Sequence, residues 1–279
     1  MPRQLWPIFQ ENRHLLHDLP RLGAAVIQQW IRLKYGARVM IIVIPHTFGS
    51  RLNFNCHLHV LVSSGGLVDS AGRWVGHIAF QTKKLMHMWR FAVLTFLREA
   101  LKANILRSKM RPHDLQNLLS EQYRWWSVRV DRFTSKEHFL RYAGRYVRRP
   151  PIAQYHIQEI TDNEVQFRRK VKIDGMKQWT TIRCSLQDFV ALLAQHVPDR
   201  YRHTVHHFGL LSPRTKAKNL SAVFTLLGQK KRTRPRRLGW AFSIRRHFGV
   251  DPLIDKNGEQ MRWAGRLSAT IVGTRALPM

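Results

Sequence analysis

Cysteine is nearly absent. Cys56 and Cys184 are the only two and stand far apart in the chain, which excludes a disulfide framework and any cysteine-based zinc module and fits a reducing cytoplasm. Long apolar runs are missing too. The longest, Val39 to Pro45, falls far short of the roughly 20 residues that cross a bilayer, so no membrane partner is expected. The opening segment carries Glu11 and Asp18 and no continuous apolar stretch, so it does not read as a signal peptide. Negative charge is the scarcest commodity: 17 Asp and Glu face 47 Lys and Arg, a formal charge of +30. Such a chain repels itself unless it works against a polyanion. DNA and RNA are the expected polyanions, because neutralising phosphates releases counterions and rewards dense Lys and Arg. An anionic membrane surface suits the chain less, since no long basic amphipathic helix stands out.

What is present supports a substantial core. With 279 residues, 44% of them hydrophobic, one large domain or two modest ones are expected. Residues 9–35 have helical apolar spacing, with Pro20 kinking or dividing the helix and Gly36 closing it. Arg38 to Ile44 reads as a strand buried on both faces and stopped by Pro45. After a loop, Cys56 to Ser63 reads as a second strand that turns at Ser63-Ser64-Gly65-Gly66, the pair being antiparallel. A short strand is expected at Arg73–Val75, a helix over 82–109, and a strand at Trp125–Val130. Thr134-Ser-Lys-Glu137 has the spacing of a capping box and predicts a helix to about Arg148, ended by Pro150-Pro151. Strands are expected at 154–160, 164–172 and 177–184, with Asp174-Gly175 as a hairpin signal, followed by an amphipathic helix from Leu186 to Val197. From Ser212 onward 15 Lys and Arg face three acids, in a basic, partly helical appendage. The boundaries expected are 1–211 for a first domain and 212–279 for this basic region.

Two constellations carry candidate chemistry. His57-Leu58-His59 lies on a predicted strand, so both imidazoles project to one face and can share a divalent metal ion, while Leu58 points the other way. Taken alone the pattern is weak, because it arises easily in a chain with 15 histidines. Tyr142 and Tyr146 stand four apart on a predicted helix and share a face, and Arg141, Arg145, Arg148 and Arg149 suit that helix to a phosphate backbone. Spacing alone favours core packing for these tyrosines. Together the two groups read differently. A phenol with a pKa near 10 is a poor nucleophile at neutral pH, and attack on a phosphodiester needs a nearby Lewis acid or base. Trp125-Trp126 are candidates for stacking unpaired bases, although core packing is the expected use of most tryptophans here.

The run His46-Thr-Phe-Gly-Ser50, with Asn55-Cys-His-Leu-His-Val-Leu-Val-Ser-Ser-Gly-Gly-Leu67, resembles the histidine–hydrophobe–histidine region of two-tyrosine rolling-circle transposases. These are bacterial insertion-sequence enzymes of the HUH endonuclease superfamily. Tyr142-Ala-Gly-Arg-Tyr146-Val-Arg-Arg-Pro-Pro-Ile-Ala153 resembles their tyrosine motif, and His206-His-Phe-Gly-Leu-Leu-Ser-Pro213 a segment that follows it. The resemblance covers about residues 4–215. It implies an α+β fold with a central antiparallel sheet flanked by helices and with the histidine pair on a central strand. It also implies that His57 and His59 hold Mg²⁺ or Mn²⁺ at the scissile phosphate, and that Tyr142 and Tyr146 form a 5′-phosphotyrosine bond and free a 3′-hydroxyl. The family's third ligand comes from a neighbouring element. His46 is the residue expected to supply it, the alternative being a turn residue that contacts DNA or caps the loop.

Two departures from the family pattern stand out. Members often begin with a cysteine-rich zinc-binding module and a short strand, neither of which precedes Pro2, so a shortened copy is expected. Asn55 stands where many members have a histidine, at a position expected to support a ligand or contact DNA. The function implied is a cytoplasmic DNA transposase and single-strand endonuclease acting on single-stranded element ends and target. DNA contacts are expected from the arginines around the tyrosines and from Lys230, Lys231, Arg232, Arg234, Arg236 and Arg237. The alternatives are a DNA-binding remnant without turnover and, from a different class, a metal-dependent hydrolase of small substrates, which leaves the +30 charge unexplained.

Overall fold

A computed structural model describes residues 1–49, 51–120, 126–147, 149–173, 175–230 and 238–262. The chain forms two compact units, Met1–Lys230 and Lys231–Met279. The fold is α+β. In chain order the elements are α1 (Trp6–Glu11), α2 (Leu19–Tyr35), β1 (Arg38–Phe48), β2 (Phe54–Val68), β3 (Arg73–Val75), α3 (Thr82–Lys102), α4 (Pro112–Ser120) and α5 (Lys136–Val147). They continue with β4 (Ile157–Ile160), β5 (Glu164–Ile173), β6 (Met176–Ser185), α6 (Leu186–Ala194), β7 (His206–Gly209), α7 (Lys216–Leu226) and α8 (Trp240–Phe248). α8 belongs to the second unit; the rest build the first.

The main sheet has the order β3-β2-β1-β7, and the pairings along it are antiparallel. β1 and β2 are its long hairpin. Val39, Ile41 and Val43 of β1 are fully buried against Val26, Trp30 and Ile31 of α2 and Leu85 of α3, as β-branched residues packed between layers should be. A second cluster seats Leu5, Ile8 and Phe9 of the N-terminal turns against Val93, Leu94 and Leu97 of α3 and Trp126. The smaller sheet, β4-β5-β6, turns Val165 and Phe167 onto Phe189 of α6.

Several boundaries differ from those read in the sequence, each for a physical reason. The helix expected over 9–35 is divided before Pro20. Asn12 is fully buried, donates its amide to the carbonyls of Ile8 and Arg107 and accepts from the Arg107 N–H. These bonds lock a break between α1 and α2, and Pro20 falls in the first turn of α2, where proline is well tolerated. Pro45 does not stop β1, which runs on to Phe48 and pairs His46 with His57. β7 reaches only to Val43, so Pro45 lies where that side of β1 is an edge and its missing N–H is tolerated. Gly65-Gly66 is no turn but part of β2, beside an irregularity between Val39 and Ile41. A Cβ on Gly65 would fall 2.4 Å from Nε1 of Trp74, so the pair allows a close approach.

The helix expected over 82–109 ends at Lys102, where Asn104 takes a left-handed φ of 55°. Residues 126–130 form no strand, since none of the described residues pairs with them, and Trp125 lies outside the described residues. Trp126 is a core residue, 1% exposed, and is not available to stack bases. The cap of α5 is Ser135, whose hydroxyl accepts from the N–H of His138, rather than Thr134. The first residues of the strand expected from 154 form a 3-10 turn, Gln154–His156. The β5–β6 hairpin forms as expected, with Gly175 at φ 85° and Asp174 outside the described residues. β7 is a short strand that the sequence reading passed over. α7 packs within the first unit through Val223, Leu210 and Leu67. Among the described residues no helix is long and apolar enough to cross a membrane.

Candidate active site

The site is assembled by strand register. His57 and His59 alternate onto one face of β2, and His46 on β1 stands directly across from His57; cross-strand partners share a face. The register that lets β1 pass through Pro45 therefore brings His46 to the other two. One nitrogen from each of the three imidazoles lies within 4.8 Å of the others. Leu58 points away and packs on the helix side, against both hydrophobic clusters.

Burial and hydrogen bonds set the state of each ring. His57 Nδ1 lies 2.7 Å from the carbonyl of Asn55, and His46 Nε2 lies 3.0 Å from the carbonyl of Tyr146. A carbonyl only accepts, so those nitrogens carry the protons, leaving Nε2 of His57 and Nδ1 of His46 with lone pairs. Burial is the main cause that holds the three rings neutral, helped by neighbouring imidazoles at His46 and His59, by the N-terminal ammonium at His57, and by Arg149 at each. His46 is lowered to about 4, His59 to about 3, and His57 is lowered as well.

Nδ1 of His46 and Nε2 of His59 are buried and have no hydrogen-bond partner among the described residues. Unpartnered buried nitrogens are costly; that of His46 is a free lone pair, and that of His59 is one when its Nδ1 carries the proton toward Tyr142. The donor set thus fits a divalent cation. Two nitrogens on one metal lie at most about 4.2 Å apart, twice a bond of about 2.1 Å, so closing the trio takes roughly an ångström. The carbonyl acceptors behind His46 and His57 are the usual second contact of a metal-bound imidazole.

α5 lies over this face. The hydroxyl of Tyr142 is 3.3 Å from Nδ1 of His59, and the ring of Tyr146 lies over the His59 ring at a centroid distance of 3.9 Å. The two phenol rings are 4.4 Å apart, one helical turn along the same face. α5 contributes no fully buried residue, so its tyrosines are not core packing; they are half-exposed and turned onto the histidines. Burial, then the neighbouring Tyr146 and Asp131, raise the Tyr142 phenol above its ordinary value, so it is protonated at neutral pH. Phe133 closes over Tyr142 at 5.1 Å. A cleft of about 1360 Å³ runs along β2 and takes in His57, His59, Arg129, Phe133, Tyr142 and Tyr146.

Of the arginines expected to meet phosphate, Arg141 and Arg145 are exposed on α5. Arg149 is exposed and lies over the rings of Tyr146 and Phe48 at 5.6 and 6.0 Å. Lys230 is exposed at the end of the first unit. Arg148, Lys231, Arg232, Arg234, Arg236 and Arg237 lie outside the described residues. Sequence reasoning missed Phe133 and Arg129, which no motif marks. It also missed the carbonyls of Asn55 and Tyr146, since a main-chain acceptor leaves no trace in side-chain identity.

The fold and this face define a class: an antiparallel sheet bearing three clustered imidazoles, capped by a helix bearing two phenols. Residues 40–219 match the model of the Y2_Tnp family, described as "Putative transposase", and the chain belongs to that family. It is 28% identical over 265 residues to "Transposase for insertion sequence element IS801" of Pseudomonas savastanoi pv. phaseolicola, covering 90% of this chain and 62% of that one. It is 24% identical over 242 residues to "Putative transposase y4qJ" of Sinorhizobium fredii (strain NBRC 101917 / NGR234), covering 82% of this chain and 61% of that one. The chain thus spans about three fifths of the length of these relatives. No solved structure matches it.

Proposed function

We propose that the chain acts in transposition by cutting and rejoining single DNA strands through a covalent tyrosine link. The observation that carries this reading is the Tyr142 hydroxyl 3.3 Å from His59 Nδ1, beside three neutral imidazoles with two orphaned nitrogens. The names of the relatives, with their transposase and insertion-sequence terms, point to the same process.

His46, His57 and His59 would hold a divalent cation. When bound, the cation neutralises charge that builds on the phosphoryl oxygens. Imidazole nitrogens without a carboxylate suit Mn²⁺ better than Mg²⁺, which prefers oxygen ligands. Nδ1–H of His59 donates to Oη of Tyr142, orienting the phenol and stabilising negative charge as it develops. Oη attacks phosphorus, the P–O bond to the 3′-oxygen breaks, and the phenolic proton ends on that oxygen. The products are a 5′-phosphotyrosine and a free 3′-hydroxyl. The covalent link conserves the energy of the phosphodiester, so Tyr146, one turn away, can serve a second transfer without a nucleotide cofactor. Arg141, Arg145 and Arg149 would hold the DNA backbone, and the basic segment from Lys230 to Arg237 would add contacts of the same kind.

The test is incubation of the protein with a labelled single-stranded element end and Mn²⁺, followed by a denaturing gel. A metal-dependent band of protein mass that disappears in Tyr142→Phe/Tyr146→Phe is the expected result. Salt-sensitive DNA binding with no adduct in any metal would instead favour a DNA-binding remnant without turnover.

A further inference from the structure

We propose that the outer face of the β4-β5-β6 sheet is a second binding site, a stacking platform for single-stranded nucleic acid separate from the tyrosine site. The proposal rests on the reading of the substrate as single-stranded DNA.

The sheet has two unlike faces. Val165, Phe167 and Val171 of β5 turn inward and are buried. The alternate residues turn outward, and the register sets Arg168 across from Thr181, Lys170 across from Trp179 and Gln166 across from Arg183. Trp179 is 46% exposed, an unusual position for so large an apolar side chain. Two cations flank it: the Arg168 guanidinium and the Lys170 ammonium lie 5.3 and 5.0 Å from its ring centroid. The aromatic surface continues through His156, 5.2 Å from Trp179, to Tyr155, 4.3 Å from His156 and 82% exposed.

Adjacent aromatic rings interleaved with Arg and Lys, open to solvent on a rigid sheet, form the arrangement that binds unpaired bases by stacking and their backbone by charge. A duplex keeps its bases stacked on one another and offers such rings only phosphates. The charge fits the same ligand, since Arg168, Lys170, Lys177 and Arg183 are exposed outward residues of this hairpin. Glu159 and Glu164 are tied to the amide of Gln166 at one end of the sheet. The platform is also placed to cooperate with the tyrosines. The chain passes from the end of α5 through Pro150–Ala153 directly into Tyr155, and the buried Arg169 holds that link through the Pro151 carbonyl.

The test uses the full chain carrying Tyr142→Phe and Tyr146→Phe, without divalent metal, so that cleavage plays no part. Fluorescence anisotropy reads binding of labelled oligo(dT) and of a duplex of equal length. Trp179→Ala should weaken oligo(dT) binding by about tenfold, the usual scale of one lost stacking contact. Its effect on the duplex should be less than about twofold, and Trp179→Phe should retain most of the affinity. Arg168→Ala/Lys170→Ala should reduce the slope of log affinity against log salt by about 1.4, the share of two single-strand phosphate contacts. Melting by circular dichroism confirms that each variant is folded. Equal losses on single strand and duplex in Trp179→Ala, or wild-type affinity in both platform variants, would overturn the proposal. Failure of the parent chain to bind oligo(dT) at all would instead remove the single-strand reading on which it rests.

Discussion

Replacing His46 by Phe separates the ligand role of the imidazole trio from its part in the fold. The phenyl ring fills much of the same volume between Phe48 and His59, which flank His46 at centroid distances of 4.7 and 4.8 Å. Two opposing effects on the metal-free protein follow. The orphaned Nδ1 is removed, relieving a cost of about 1–3 kcal/mol, while the Tyr146 carbonyl loses its donor at a similar cost. Metal-free stability should therefore change by no more than about 1 kcal/mol. The response to metal should change far more. Mn²⁺ at about 100 times its dissociation constant stabilises the wild type by about 2.7 kcal/mol, or roughly 5–11 °C in a unit of this size. Loss of a ligand should weaken binding at least as much as loss of its supporting contact does, about 10- to 100-fold. At the same Mn²⁺ concentration the variant then gains only about 0.4–1.4 kcal/mol, roughly half the wild-type shift or less. Differential scanning fluorimetry across a Mn²⁺ titration, with Mg²⁺ in parallel, reads all of this, and Mg²⁺ should give the smaller shift. Equal shifts in wild type and His46→Phe, or no shift in the wild type at any soluble Mn²⁺ concentration, would refute the argument.

Tyr142→Phe should lower first-strand adduct formation more than Tyr146→Phe, because it is the Tyr142 hydroxyl that lies at His59. Single-turnover gels compare the two, and a larger defect in Tyr146→Phe would contradict the assignment. Gly209 takes φ 61°, and a Cβ there would fall 2.0 Å from the Val39 carbonyl. Gly209→Ala should cost about 3 kcal/mol or more in urea unfolding, strain and overpacking together. Gly228→Ala, at the same φ with open space around it, should cost about 1–2 kcal/mol. Acidification should destabilise the fold. Burial holds His196 and His206 below their ordinary value, so below about pH 6.5 the unfolded chain binds more protons than the folded one. Stability is then fully present above that pH and falls as the pH drops below it, and the urea midpoint should fall with it. A midpoint that stays level down to about pH 5 would contradict the sign, and His196→Gln should make the decline shallower.

Periodicity made the sheet and most helices legible, since strand alternation and helical spacing record which face is buried. The candidate site was legible to the extent that it lies in side chains: His57-x-His59 on a strand and Tyr142 with Tyr146 on a helix are local patterns. The position of His46 was harder to read, because Pro45 signals a stop and only the open edge of β1 beyond Val43 lets the strand continue. Gly65-Gly66 reads as a turn for the same reason. Glycine marks both turns and close approaches, and the Trp74 ring that decides between them is distant in sequence. Trp126 and Trp179 are indistinguishable as residue types, yet one is in the core and the other on an open sheet face. Tertiary packing, which no local window records, decides between them. The division of the first helical stretch depends on Asn12 bonding to Arg107, a contact across the chain that composition cannot show.

Mass spectrometry of the protein after reaction with a single-stranded element end tests the central claim most directly. Proteolysis of the denatured adduct should yield a peptide containing Tyr142 or Tyr146 with a nucleotide joined through its 5′-phosphate to the phenolic oxygen, and His57→Ala/His59→Ala should give none. A nucleotide found on any other residue, or an adduct of equal yield in the histidine variant, would show that the imidazole trio and the two phenols are not one reacting site.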